Sequence, residues 1–141
     1  MDNKIVGLVL ASHGGFAGEA LRSAEMIMGR QELVETVAVM PGMDLEQVKK
    51  EIEGAINTVM GTNGVVVMTD IIGGTPSNAA GFFSVLRDDV VVMAGFNMPM
   101  LLEFFACRHA SLDSVAEKIG SVAQQGIVNL TDSIKKRNSN V

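Results

Sequence analysis

The chain has 141 residues, 48% of them apolar and 19% charged, with a formal net charge of -5 at neutral pH. That length suits one domain with a substantial core of its own, and the acidic balance excludes the basic face on which nucleic-acid backbones bind. A single cysteine, Cys107, excludes a disulfide framework and a multi-cysteine zinc site, and the lack of Trp and Tyr removes the usual stacking platforms.

The first strand reads as residues 5–11, an apolar run that passes into Ser12-His13-Gly14-Gly15. A histidine between a strand and a glycine turn sits at the carboxyl edge of a sheet, where open α/β folds place their chemistry. Ala17, Ala20, Leu21, Ala24 and Met28 then form a helical stripe that stops at Gly29. A second strand spans 34–40. Leu45, Val48, Ile52, Ile56 and Val59 make the next helix, opened by Asp44 with Gln47 at the capping-box spacing.

Residues 64–69 read as the third strand, followed by Asp70, the pair Gly73-Gly74 and a helix starting at Thr75-Pro76. Thr75 is placed as its cap and Ala79, Phe82, Phe83 and Leu86 as its inner face. After a fourth strand at 90–94, Asn97-Met98-Pro99 leads into a short helix through Leu101, Leu102 and Phe105. One long helix is expected from Ser111, carrying Leu112, Val115, Ile119 and Val122 and continuing through Ile127, Leu130 and Ile134. The tail from Lys135 is expected to fray, with Lys135-Lys136-Arg137 as a solvated helix end.

Near-continuous apolar strands alternating with amphipathic helices predict parallel strands covered on both faces. The expected fold is a single doubly wound α/β domain over residues 1–141, its mainly parallel sheet ordered 2-1-3-4 with helices on both faces. The turns after the first and third strands then flank one switch point, where His13 and Asp70 meet. No apolar run reaches the roughly 18 residues of a membrane span. The first strand also starts too early, near Lys4, to follow a signal peptide, so a cytoplasmic protein is expected.

A carboxylate that accepts one N–H of a neutral imidazole fixes the tautomer and leaves the other nitrogen free to attack phosphorus. Asp70 is given that orienting role and His13 that of nucleophile; the sequence leaves open which ring nitrogen reacts, and Asp70 on the Nδ1 side favours Nε2. The backbone N–H groups of Gly14, Gly15 and Phe16 and the hydroxyls of Thr75 and Ser77 are candidates for cradling the phosphoryl group. Met40, Met43, Met98 and Met100 are candidates for an adaptable docking surface. His109 has no comparable company. With no Walker or kinase glycine motif and no metal-ligand spacing, no cofactor or metal is expected, and the donor is expected to be another phosphorylated protein.

Ser12-His13-Gly14, Pro41-Gly42, Thr69-Asp70-Ile71-Ile72-Gly73-Gly74-Thr75-Pro76-Ser77-Asn78-Ala79-Ala80 and Gly95-Phe96-Asn97-Met98-Pro99-Met100-Leu101 follow the four strands in order. Together they resemble the IIA component of the mannose-type sugar phosphotransferase system, over about Lys4 to Gly126. The resemblance implies a cytoplasmic phosphocarrier whose histidine, here His13 beside Asp70, accepts a phosphoryl group from phospho-HPr. It hands the group to the IIB component, which phosphorylates a sugar entering through the membrane subunits IIC and IID. It also implies a homodimer that exchanges an antiparallel edge strand, here within residues 126–134. Ile71-Ile72 stand where a large aromatic is common in the family. A related IIA-like relay serving a dihydroxyacetone kinase, which tends to carry Ser-His-Ser, and a non-enzymatic flavodoxin-like regulatory module are the competing readings.

Overall fold

A computed structural model describes residues 4–139. Its elements are β1 (Gly7–His13), α1 (Phe16–Met28), β2 (Val34–Val39), α2 (Leu45–Val59), β3 (Val65–Thr69), α3 (Thr75–Leu86), β4 (Val90–Ala94), α4 (Met98–Cys107), α5 (Leu112–Gln125) and α6 (Leu130–Ser139). The four strands form one parallel sheet in the order β2-β1-β3-β4, the order expected from the sequence.

The two faces of the sheet bury separate sets of side chains, because successive residues of a strand point to opposite sides. On one face Leu8, Leu10, Val66 and Met68 pack under α1, α4 and α5, with Phe104 and Ile119 fully buried among them. On the other, Val9, Ala11, Val65 and Val67 pack under α2 and α3 against Ile52, Ile56 and Phe83. Coverage on both sides is why β1 and β3 read as unbroken apolar runs rather than alternating ones.

Caps place the helices. Asp44 accepts the N–H of Gln47 at 2.8 Å and opens α2. Asn97 accepts the N–H of Met100 at 3.1 Å to open α4, and its amide donates to the Ala123 carbonyl of α5 at 2.9 Å. Ser111 accepts from Ser114 at 3.3 Å and opens α5.

Three sequence expectations are corrected. Thr75 is the first helical residue of α3 and not its cap; Gly74 holds that position without a side-chain bond. The inner face of α3 is Ala79, Ala80 and Phe83, whereas Phe82 and Leu86 are exposed, Phe82 lying under the Lys49 ammonium at 4.1 Å. The helix from Ser111 ends at Gln125: Gly126 backs onto the Pro99 ring with no room for a side chain, and the chain turns there. Asn129 then accepts the Asp132 N–H at 3.1 Å to open α6, so Ile127, Leu130 and Ile134 are exposed and continue no inner face. In this single chain residues 126–134 form that turn and the start of α6, with no strand. Helical structure runs through Ser139; positions 140 and 141 of the expected frayed tail lie outside the described residues.

At the amino edge of the sheet, opposite His13, the buried Arg108 ties the chain together. Its Nε and Nη2 donate to the Val6 carbonyl at 3.1 and 2.9 Å, and Nη2 also donates to that of Leu33 at 3.1 Å. Burial lowers its pKa to about 10, against a smaller opposing pull from Glu32.

Candidate active site

Ala11 of β1 pairs with Thr69 of β3, so the residues that follow leave the sheet side by side. His13 and Asp70 meet there: ring Nδ1 lies 2.8 Å from Asp70 Oδ2, and the backbone N–H of His13 donates to the same oxygen at 3.0 Å. The other oxygen, Oδ1, accepts the N–H of Ile71 at 3.1 Å. Burial by itself would raise the Asp70 pKa, but the His13 backbone N–H, the hydrogen bond with the ring and the ring's charge outweigh it and hold the carboxyl below its usual value of 3.8. The carboxylate is thus ionised at neutral pH and orders a proton onto Nδ1. The Asp70 side chain is 13% exposed and that of His13 55%, and among the described residues Nε2 has no hydrogen-bond partner.

The β1–α1 turn is built by residues whose roles sequence reasoning missed. Gly14 adopts φ +57°, a left-handed conformation that glycine enters without strain. The buried Ser12 hydroxyl accepts the N–H of Ala17 at 2.7 Å and donates to the Gly14 carbonyl, supplying the cap that Gly15 lacks. A serine ahead of the glycine turn is the available sequence signal. Phe16 stacks on Phe96 at 5.2 Å, joining the start of α1 to the turn after β4.

The β3–α3 turn is pinned by a second buried polar residue that was also overlooked. Thr69 Oγ1 lies 2.6 Å from Ser77 Oγ, and the Ser77 hydroxyl donates to the Ile71 carbonyl. The Thr69 carbonyl accepts the N–H groups of Gly95 and Phe96 at 2.8 and 3.2 Å, which seats the turn after β4 against the same strand end.

The expected phosphate cradle is therefore only partly available. The Ser77 proton is committed to the loop carbonyl, and the N–H of Gly14 donates to the Val39 carbonyl at 2.9 Å. Neither is free to bond an incoming oxygen. The N–H groups of Gly15 and Phe16 belong to the first turn of α1, where a helix has no internal acceptors for them. Thr75 lines an open depression of about 600 Å³ with His13, Gly14, Val39, Met40, Pro41, Gly42 and Met43. No lysine or arginine lines it.

Of the four candidate docking methionines, Met40 and Met43 border this depression. Met100 is only 2% exposed inside the core, so the apolar packing of α4 takes it away from the surface, while Met98 packs half-buried against the same core and does not line the depression. Cys107 and His109 lie at the opposite edge of the sheet, next to Arg108, whose carbonyl accepts the Val6 N–H. Among the described residues no cluster of His, Cys, Asp and Glu could hold a metal ion, and no helix is long and apolar enough to cross a membrane.

A proton-holding carboxylate on one ring nitrogen and an open second nitrogen at the mouth of a depression suit a nucleophilic imidazole. Comparison with known proteins gives the family. Residues 7–123 match the EIIA-man family model, described as the PTS system fructose IIA component. The chain is 31% identical over 124 residues to the PTS system mannose-specific EIIAB component of Escherichia coli K12, covering 86% of this chain and 38% of that protein, so it spans about two fifths of those relatives. It is 26% identical over 133 residues to the PTS system fructose-specific EIIA component of Bacillus subtilis, covering 94% of this chain and 91% of that one. The crystal structure of the PTS IIA protein associated with the fucose utilization operon of Streptococcus pneumoniae superposes with a TM-score of 0.85 at 31% identity, covering 95% and 99% of the two chains. The family match takes in the ends of β1 and β3 that carry His13 and Asp70 together with the sheet between them, and on it the chain belongs to the IIA components of the sugar phosphotransferase system.

Proposed function

We propose that the protein is a cytoplasmic phosphocarrier that accepts a phosphoryl group from phospho-HPr on His13 and passes it to the IIB component of a mannose-type sugar uptake system. The 2.8 Å contact between His13 Nδ1 and Asp70 Oδ2, with Nε2 unpartnered, carries this reading. The Nε2 lone pair forms the new bond to phosphorus as the bond from phosphorus to the donor atom breaks, and the bonding pair leaves with the donor. The Nδ1 proton stays in place, and the positive charge that develops on the ring faces an ionised carboxylate. The N–H groups of Gly15 and Phe16 and the Thr75 hydroxyl receive the phosphoryl oxygens, aided by the dipole at the start of α1.

Transfer onward to IIB reverses the same steps, and the sugar itself is met by the membrane subunits IIC and IID, away from this chain. A homodimer fits a free edge of the sheet: among the described residues β4, like β2 at the other edge, pairs with one strand, and Ile127 and Leu130, in the segment expected to exchange, are 83% and 64% exposed.

Intact-mass measurement after exposure to phosphoenolpyruvate, enzyme I and HPr should show one added phosphoryl group, which a His13→Ala variant fails to gain. Normal labelling of that variant would overturn the assignment. Delivery of the label to IIB, and not to a dihydroxyacetone kinase, separates this carrier from the related relay.

A further inference from the structure

We infer that Gly74 is a positioning residue for phosphoryl transfer: its missing side chain keeps the His13 ring seated on Asp70 and leaves the space around Nε2 open. The inference rests on the carrier reading above and assigns a further residue to the same site.

The two adjacent glycines are required for different reasons. Gly73 lies at φ +87°, where a side chain strains the backbone, and a Cβ there would meet nothing within 4 Å. Gly74 has φ -88° and ψ 172°, an extended conformation open to any residue. A Cβ on Gly74, however, would lie 2.7 Å from His13 Cε1 and 3.2 Å from Nε2. The first distance is a clash, and the second places a carbon where oxygens on a phosphorylated Nε2 must go.

The backbone side cannot yield cheaply. The Gly74 carbonyl accepts the Asn78 N–H at 2.9 Å as the first bond of α3, and the loop before it is tied down through Ile71, Ser77 and Thr69. The ring is the softer partner, and rotating it away breaks the bond to Asp70. Helix capping points the same way. α2, α4 and α5 open on Asp44, Asn97 and Ser111, side chains that cap, and α1, which opens on Gly15, is served instead by the Ser12 hydroxyl; α3 opens on Gly74 with no side-chain cap, although Ser, Asn or Asp would satisfy its first turn better.

Gly74→Ser in the full chain separates positioning from folding, because serine is the better cap. Its melting temperature should stay close to that of the parent, the serine cap offsetting the lost ring bond to Asp70. Its phosphorylation by phospho-HPr should slow on the order of 100-fold, the loss expected from displacing a reacting group by about 1 Å. The NMR resonance of the hydrogen-bonded His13 Nδ1 proton should be lost or shifted. Gly81→Ala, on the same helix where an added Cβ meets nothing, should change neither rate nor resonance. Parental phosphorylation in Gly74→Ser, an unmoved Nδ1 resonance, or loss of the fold would each overturn the inference, since all of the cost is placed on the ring. If the parent chain itself takes no label, the carrier reading falls, and the Nδ1 resonance still decides whether Gly74 seats the ring.

Discussion

A single oxygen, Asp70 Oδ2, accepts both the backbone N–H of His13 and the bond from its ring Nδ1, at 3.0 and 2.8 Å. Main chain and side chain of one residue therefore converge on one acceptor, which fixes the position of the histidine and the orientation of its ring together. Asp70→Asn leaves the backbone bond possible but offers an amide whose tautomer demand is no longer one-sided. The variant should fold as the parent does and exchange phosphoryl groups with HPr more slowly by on the order of 10²-fold. Stopped-flow or quench measurements in both directions test this; unchanged rates would remove Asp70 from the mechanism while leaving His13 in place.

The same pairing sets an acid limit. The folded-state pKa of Asp70 lies below its ordinary 3.8, so its contribution to stability is complete above that value and disappears as the pH falls through the lower, folded-state pKa. An NMR titration of the Asp70 carboxyl should give a midpoint under 3.8. In His13→Ala the midpoint should move part of the way up, because the ring bond is lost while the backbone N–H remains. A midpoint indifferent to the ring would contradict the pairing.

Arg108 makes a prediction about the fold alone. Replacing it with Met retains much of the volume against Phe104 and Phe105 but takes both guanidinium donors from the Val6 carbonyl, at roughly 1–3 kcal/mol for a buried group left unpaired, while the Leu33 carbonyl keeps the Leu8 N–H at 3.0 Å. Chemical denaturation should show Arg108→Met less stable by about 2 kcal/mol. Its phosphorylation rate at temperatures where it is folded should match the parent, because the residue lies at the opposite edge of the sheet from His13.

How far the sequence reveals this molecule depends on where each feature takes its cause. The sheet order and the meeting of His13 with Asp70 follow from buried parallel strands joined by helices, and the apolar runs of β1 and β3 display that directly. The break after Gln125 was not legible, because it comes from Gly126 backing onto Pro99, a contact between residues far apart in the chain. Ser77 looks like a free hydroxyl in sequence and is spent on the Ile71 carbonyl in space, and Thr69 looks like the end of an apolar strand yet holds Ser77. Gly14 offers an N–H in sequence, but its conformation is what the turn uses. The methionines divide by the same logic: the turn after β2 leaves Met40 at the surface, and the apolar face of α4 takes Met100 into the core.

The wall beside His13 consists of valine, methionine, proline, glycine and threonine, with no fixed cation among them. Inorganic anions drifting in from bulk water gain little there, since hydrogen-bonding dipoles without a full opposing charge recover only part of the lost hydration. Occupancy is then governed by covalent bonding to the imidazole and by whichever macromolecule closes over it, so ambient phosphate and sulfate should be poor competitors even when abundant.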